Sequence, residues 1–355
     1  METSPVTTSS LTPPNIPDPF ALRHDLLHIP MCSPTTTYKP INYQWADDYW
    51  LMQKKIHWIP EEIPFGDDAK DYATLPENEV ALLDNILRLF TQSDVDIQDC
   101  YMTRYLPIFR DGSISRMLYT FGDMEHVHVR SYSKLLDTVG LPDSHYTSYL
   151  DIAEMRAKHD MLRGYTMRTP SEIAITLALI GGFGEGLQLF SSFAMLLNFP
   201  RFGKMKNMGQ IVTFSIRDET LHVTGITRLF HEFCKEAGIS KASIKEDILQ
   251  GLHTTVMLED DFIDRIHELG PVHGYTPDEM KAYIRYVGDY RLQQLGYDPV
   301  FNIPTHPLGW LEEQLNGVEH ANFFEARSTE YSNATTTGEW GNSWDRFEKV
   351  MSKAA

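Results

Sequence analysis

The chain has 355 residues and a formal charge of −18, from 31 Lys and Arg against 49 Asp and Glu. That balance argues against non-specific nucleic-acid binding, which needs a basic surface to displace counterions. Three scattered cysteines (Cys32, Cys100 and Cys234) make neither a Cys-x-x-Cys pair nor an even framework, so reduced thiols and a cytoplasmic protein are expected.

Residues 1–20 are rich in Ser, Thr and Pro and read as a disordered arm, without the basic and apolar regions of a secretory signal. Residues 41–57 read as a helix that ends before Pro60, because proline disfavours helix at the preceding Ile59. Pro64 and Gly66 continue the loop. Leu75-Pro76-Glu77-Asn78-Glu79 then opens a helix, with proline and acids in its first turn, that is expected to run to about Ile108. Asp111-Gly112-Ser113 makes a turn. The next helix runs to about Val139, where Gly140-Leu141-Pro142 stops it. Residues 145–165 read as a polar helix. Thr169-Pro170-Ser171-Glu172 opens an apolar helix that Phe199-Pro200 closes. Its stretch 173–199 looks like a membrane span, but Glu185 and Gln188 sit in the middle, where a charge is costly in lipid. A buried helix of a soluble bundle explains it better, so no membrane is expected. Further helices are expected from 207 to about 237, at 241–268 and at 277–295. No stretch alternates as a strand does, so the class is all-α. From Phe323 the chain turns polar and reads as a flexible tail carrying Tyr331, Trp340, Trp344 and Phe347. The expected layout is an arm at 1–20, a helical domain at 21–322 and a tail at 323–355.

Two helices carry Glu-x-x-His: Glu125 with His128, and Glu219 with His222. Positions i and i+3 share a helix face, and both pairs fall on the apolar stripe. One stripe runs Leu118, Phe121, Glu125, His128, Tyr132, Leu135. The other runs Val212, Ser215, Glu219, His222, Ile226, Leu229. Two more stripes each contain one acid: Asp94 after Leu83, Leu87 and Phe90, and Glu185 between Gly182 and Leu189. A buried carboxylate is costly without a partner, and four aimed at one core need cations. Four acids and two imidazoles suit a pair of iron or manganese ions in a helical bundle. Two such metals can bind and reduce O2, and Tyr132, one turn beyond His128, is close enough to be oxidised.

With these residues in view, the chain resembles the small, radical-generating subunit of class I ribonucleotide reductase over roughly residues 40–335. The carriers are Trp58-Ile59-Pro60-Glu61-Glu62, Asp94, Glu125-His126-Val127-His128-Val129-Arg130-Ser131-Tyr132, Glu185 and Arg217-Asp218-Glu219-Thr220-Leu221-His222. The resemblance implies a ferritin-like bundle with a di-metal site in its core, with Asp94, Glu125, His128, Glu185, Glu219 and His222 as metal ligands. It implies two iron ions per chain, with manganese or a mixed Mn/Fe pair as alternatives. Tyr132 would hold the stable radical. Trp58, Asp218 and His128 would form the transfer route, and Tyr331 would relay the radical to a large (alpha) catalytic subunit. A homodimer is implied as well. Two positions depart from the family pattern. His306 stands where Asn is frequent, and Ser215 stands where an apolar residue often shields the radical. Another ferritin-like di-iron oxidase shares the ligands but not Tyr132 with Trp58 and Asp218. A metal-storage bundle stays open from sequence.

Overall fold

A computed structural model describes residues 22–315; the expected arm, the polar tail and Tyr331 lie outside the described residues. The chain divides into a unit ending at Pro307 and a second beginning at Leu308, of which residues 308–315 are described and turn helical at 309. In the first unit every regular element among the described residues is helical. The principal helices are α1 (Gln44–Lys55), α2 (Gly66–Tyr72), α3 (Glu77–Cys100), α4 (Gly112–Val139), α5 (Ala153–Gly164), α6 (Pro170–Arg201), α7 (Lys206–Glu236), α8 (Lys245–Ile266) and α9 (Pro277–Leu295).

The caps have the chemistry their sequences call for. Asp111 accepts from the Ser113 amide at 2.8 Å to open α4, and Gly140, at φ 82°, closes it in a left-handed turn. Thr276 and Glu279 form a reciprocal capping box at α9. The structure differs from expectation in several places. Gly66–Tyr72, expected in a loop, forms α2. The helix read to Ile108 widens into a π turn at Tyr101–Tyr105 before resuming over Leu106–Ile108. The helix expected at 145–165 breaks at Ile152, whose backbone is extended; the Tyr149 hydroxyl folds the preceding turn back onto His159 of α5 at 3.1 Å. Pro200 falls inside the last turn of α6 rather than ending it.

Two helix pairs make the bundle's centre: α3 packs on α4, and α6 on α7. α1 covers α4, while α8 and α9 cover α6. Close approach of α6 to α7 depends on Gly181, where an added methyl would sit 2.3 Å from Ile226 Cγ2. The length and apolarity of α6 would allow it to cross a membrane, yet 94% of its most apolar stretch is buried inside the bundle. Within it, Leu177–Gln188 forms a π-helical segment containing Glu185. Such wide turns cost hydrogen-bond geometry and concentrate at functional sites.

Candidate metal centre

Six side chains from four helices meet in the core, all of them buried. Asp94 comes from α3, Glu125 and His128 from α4, Glu185 from the π segment of α6, and Glu219 and His222 from α7. At the site α4 and α7 pair in reverse order, as antiparallel helices do. Glu125 Oε1 lies 2.8 Å from His222 Nδ1, and His128 Nδ1 lies 3.1 Å from Glu219 Oε1. One turn further, the Tyr132 hydroxyl donates to Ser215 Oγ at 2.9 Å. The second oxygens turn back to their own helices. Glu125 Oε2 is 3.5 Å from His128 Nδ1, and Glu219 Oε2 is 3.8 Å from His222 Nδ1. Each of these carboxylates therefore sets one oxygen beside each imidazole. Donor atoms lying within 4.8 Å of one another form two groups, Asp94–Glu125–His128 and Glu125–Glu185–Glu219–His222, which share Glu125.

Electrostatics make the same point. Burial, then the charge on Glu125, pushes Asp94 and Glu185 well above the usual carboxylate range, and Glu219 rises for the same two reasons. Burial would raise Glu125 too, but its contacts with His128 and His222 outweigh it and hold it low. Burial would lower His128, yet Asp218, Glu125 and Glu219 together lift it well above an ordinary imidazole. Both oxygens of Glu125, Glu185 and Glu219, both nitrogens of His222 and Nδ1 of His128 have no hydrogen-bond partner. Buried polar atoms are nearly always satisfied, so this cluster of acceptors calls for cations. Carboxylate-rich ligation with two imidazoles fits iron or manganese better than zinc or copper.

Behind His128 lies a second hydrogen-bonded group. Trp58, in the loop after α1, donates from Nε1 to Asp218 Oδ2 at 2.7 Å. The same oxygen is 3.2 Å from His128 Nε2. With Nδ1 turned to the acid cluster, Nε2 carries the proton toward Asp218, the usual carboxylate support of a ligating histidine. Burial would raise Asp218, but His128, Arg217 and Trp58 keep it below the usual range. Gln53 also donates to Asp218, at 3.2 Å to Oδ1. Sequence reasoning gave Gln53 no role, although it continues the Trp45–Tyr49 stripe of α1 at i+4 spacing. Tyr132 is buried against Phe90, with ring centroids 5.0 Å apart. Tyr101, on the π turn, is a second buried tyrosine beside the cluster; its ring is 6.3 Å from that of His222. The structure thus brings together all the expected site residues that lie among the described ones.

The chain resembles known proteins in sequence and in fold. Residues 35–307 match the family model for "Ribonucleotide reductase, small chain". A protein of Invertebrate iridescent virus 6 named "Probable ribonucleoside-diphosphate reductase small subunit 376L" is 39% identical over 349 residues, spanning 87% of this chain and 97% of that one. A class I ribonucleotide reductase structure from Bacillus halodurans superposes with a TM-score of 0.70 at 26% identity, covering 76% of this chain and 99% of that one. The dimanganese(II) NrdF of Streptococcus sanguinis shares the fold, with a TM-score of 0.68 at 21% identity over 77% of this chain and 96% of that one.

Proposed function

This chain belongs to the ribonucleotide reductase small-chain family, and we propose how its own residues carry out the work of a ribonucleoside-diphosphate reductase small subunit. Asp94, Glu125 and His128 would hold one metal ion and Glu185, Glu219 and His222 the other, with Glu125 and Glu219 placed within reach of both imidazoles. The observation that supports this is the position of those two carboxylates, each with an oxygen beside both imidazoles. When bound, a pair of iron ions, or of manganese or one of each, supplies oxidising equivalents drawn from O2.

Tyr132 would be the residue oxidised, giving up an electron and its phenolic proton to the O2-derived oxidant at that pair. Its burial against Phe90 keeps water from the oxidised ring. Asp218 orients His128 and accepts from Trp58, so one carboxylate oxygen joins the metal-facing imidazole to the indole. This is the route by which an electron moves inward as the oxidising equivalent moves out. Tyr331 continues it to the large subunit, which holds the nucleotide and the reducing thiols. The three cysteines of this chain do not supply them: Cys32, Cys100 and Cys234 are all buried and unpaired. We place the protein in the cytoplasm as a homodimer, acting without nucleic acid or membrane. Metal analysis with low-temperature EPR, after loading with Fe(II) and O2 and separately with Mn(II), tests the proposal. Two ions per chain and a tyrosyl doublet are expected. One ion per chain, or zinc alone, in every preparation would overturn it.

A further inference from the structure

The antiparallel register that pairs Glu125 with His222 and His128 with Glu219 has a third rung. One turn beyond His128 on α4 stands Tyr132. One turn before Glu219 on α7 stands Ser215. Both are buried to within 1% of full enclosure, and the phenol donates to the serine oxygen at 2.9 Å. Around them the packing is apolar: Phe90 lies 5.0 Å from the tyrosine ring, and Phe193 lies 5.1 Å from Phe90. Asp94, His128 and Glu219 act on the phenol electrostatically from the metal side. Ser215 is the partner on the other helix.

We propose that Ser215 is the hydrogen-bond partner of Tyr132 in both its reduced and its oxidised form, and that it tunes the radical. The inference rests on Tyr132 being the residue oxidised. A hydroxyl is suited to this task because it both accepts and donates. While Tyr132 is reduced, its O–H donates to Ser215 Oγ. On oxidation the phenolic O–H bond breaks. With the metal pair loaded, the electron and the proton would both pass to the O2-derived oxidant on the side where Asp94, His128 and Glu219 act on the phenol. The phenoxyl oxygen is then an acceptor only. Ser215 keeps the contact by rotating about its Cβ–Oγ bond and donating its own hydrogen, with no bond made or broken in the serine. Alanine or phenylalanine at 215 has no such hydrogen. The serine thus gives the radical an internal donor within a water-excluded pocket. The donor draws spin density from the oxygen.

The test uses the full chain loaded with Fe(II) and O2, with metal content measured for each variant. High-field EPR and proton ENDOR after exchange into D2O report a hydrogen bond to the radical directly. The wild type should show an exchangeable proton coupled to the tyrosyl oxygen and a lowered gx. Ser215→Ala should bind both metals, lose that coupling and raise gx. Ser215→Thr should restore both spectral features. A coupling that persists in Ser215→Ala, or is missing from the wild-type radical, overturns the inference while leaving the assignment of Tyr132 intact. A doublet that survives Tyr132→Phe instead overturns that assignment, and the inference with it.

Discussion

Replacing Glu185 by Gln should make the metal-free protein more stable and the metal-loaded protein less so. Glu185 is buried, neither carboxylate oxygen has a hydrogen-bond partner, and burial followed by Glu125 and Glu219 lifts it well above the usual range. A carboxyl whose folded value is raised contributes most below its unfolded value; that contribution is lost as pH rises through the folded value. Metal-free protein therefore loses stability from this group as pH climbs from the ordinary glutamate range upward. Glutamine has the same shape and does not titrate, so it removes this slope. Relief of one uncompensated buried group is worth about 1–3 kcal/mol. At about 2 cal/mol/K per residue, the described length gives an unfolding entropy of roughly 0.6 kcal/mol/K. The variant should thus melt about 2–5 °C above wild type in chelator at pH 7. The gap should narrow by pH 5.5. Calorimetry with Fe(II) under anaerobic conditions should reverse the order, because the amide brings no charge to the cation. A metal-free Glu185→Gln protein that melts below wild type at pH 7 would refute the idea that these acids are uncompensated.

Asp218→Asn should leave both metals and the tyrosyl doublet in place but cut nucleotide reduction by about 10²-fold or more, the scale of a lost proton partner. Unchanged turnover would remove Asp218 from the route. In the tail, truncation after Thr336 should weaken binding to the large subunit without touching the radical. Tyr331→Phe should preserve that binding and abolish turnover; single-turnover assays and titration with the large subunit separate the two. Lys158 and Glu259 form a buried ion pair, with Ser191 donating to the other Glu259 oxygen at 2.8 Å. Glu259→Leu alone should cost about 3–5 kcal/mol by denaturant melting, whereas Lys158→Met with Glu259→Leu should recover most of it. A double variant as unstable as the single one would show that packing, not charge, sets the cost.

The buried acid–imidazole cluster was legible because each acid interrupts an apolar stripe. A carboxylate at a position that otherwise holds Leu or Phe is informative whatever surrounds it, and four such positions point to one polar centre. Helix ends at Asp111 and Gly140 were legible because cap chemistry is local. The break at Ile152 and the π turns at Tyr101–Tyr105 and Leu177–Gln188 were not. Wide turns have no composition of their own; they answer to what the neighbouring helices require.

Register is the other thing a stripe omits. The apolar stripes of α4 and α7 give the faces that meet, but not which rung meets which. Ser215 shows the consequence. Read along one strand of sequence, it is a polar residue in a place suited to an apolar shield, a local weakness in the pocket. Set against α4, it lies opposite Tyr132 at hydrogen-bond distance. The same antiparallel pairing that lets Glu125 and Glu219 each reach both histidines puts a hydroxyl opposite the phenol. The polar substitution and the ligand geometry are therefore one feature of the α4–α7 contact. A change that slid α7 by a single helical turn would separate Ser215 from Tyr132 and, at the same time, part His128 from Glu219. Loss of the exchangeable coupling to the radical should accordingly accompany loss of metal in any variant that acts through register, and should occur alone only in a variant at 215 itself.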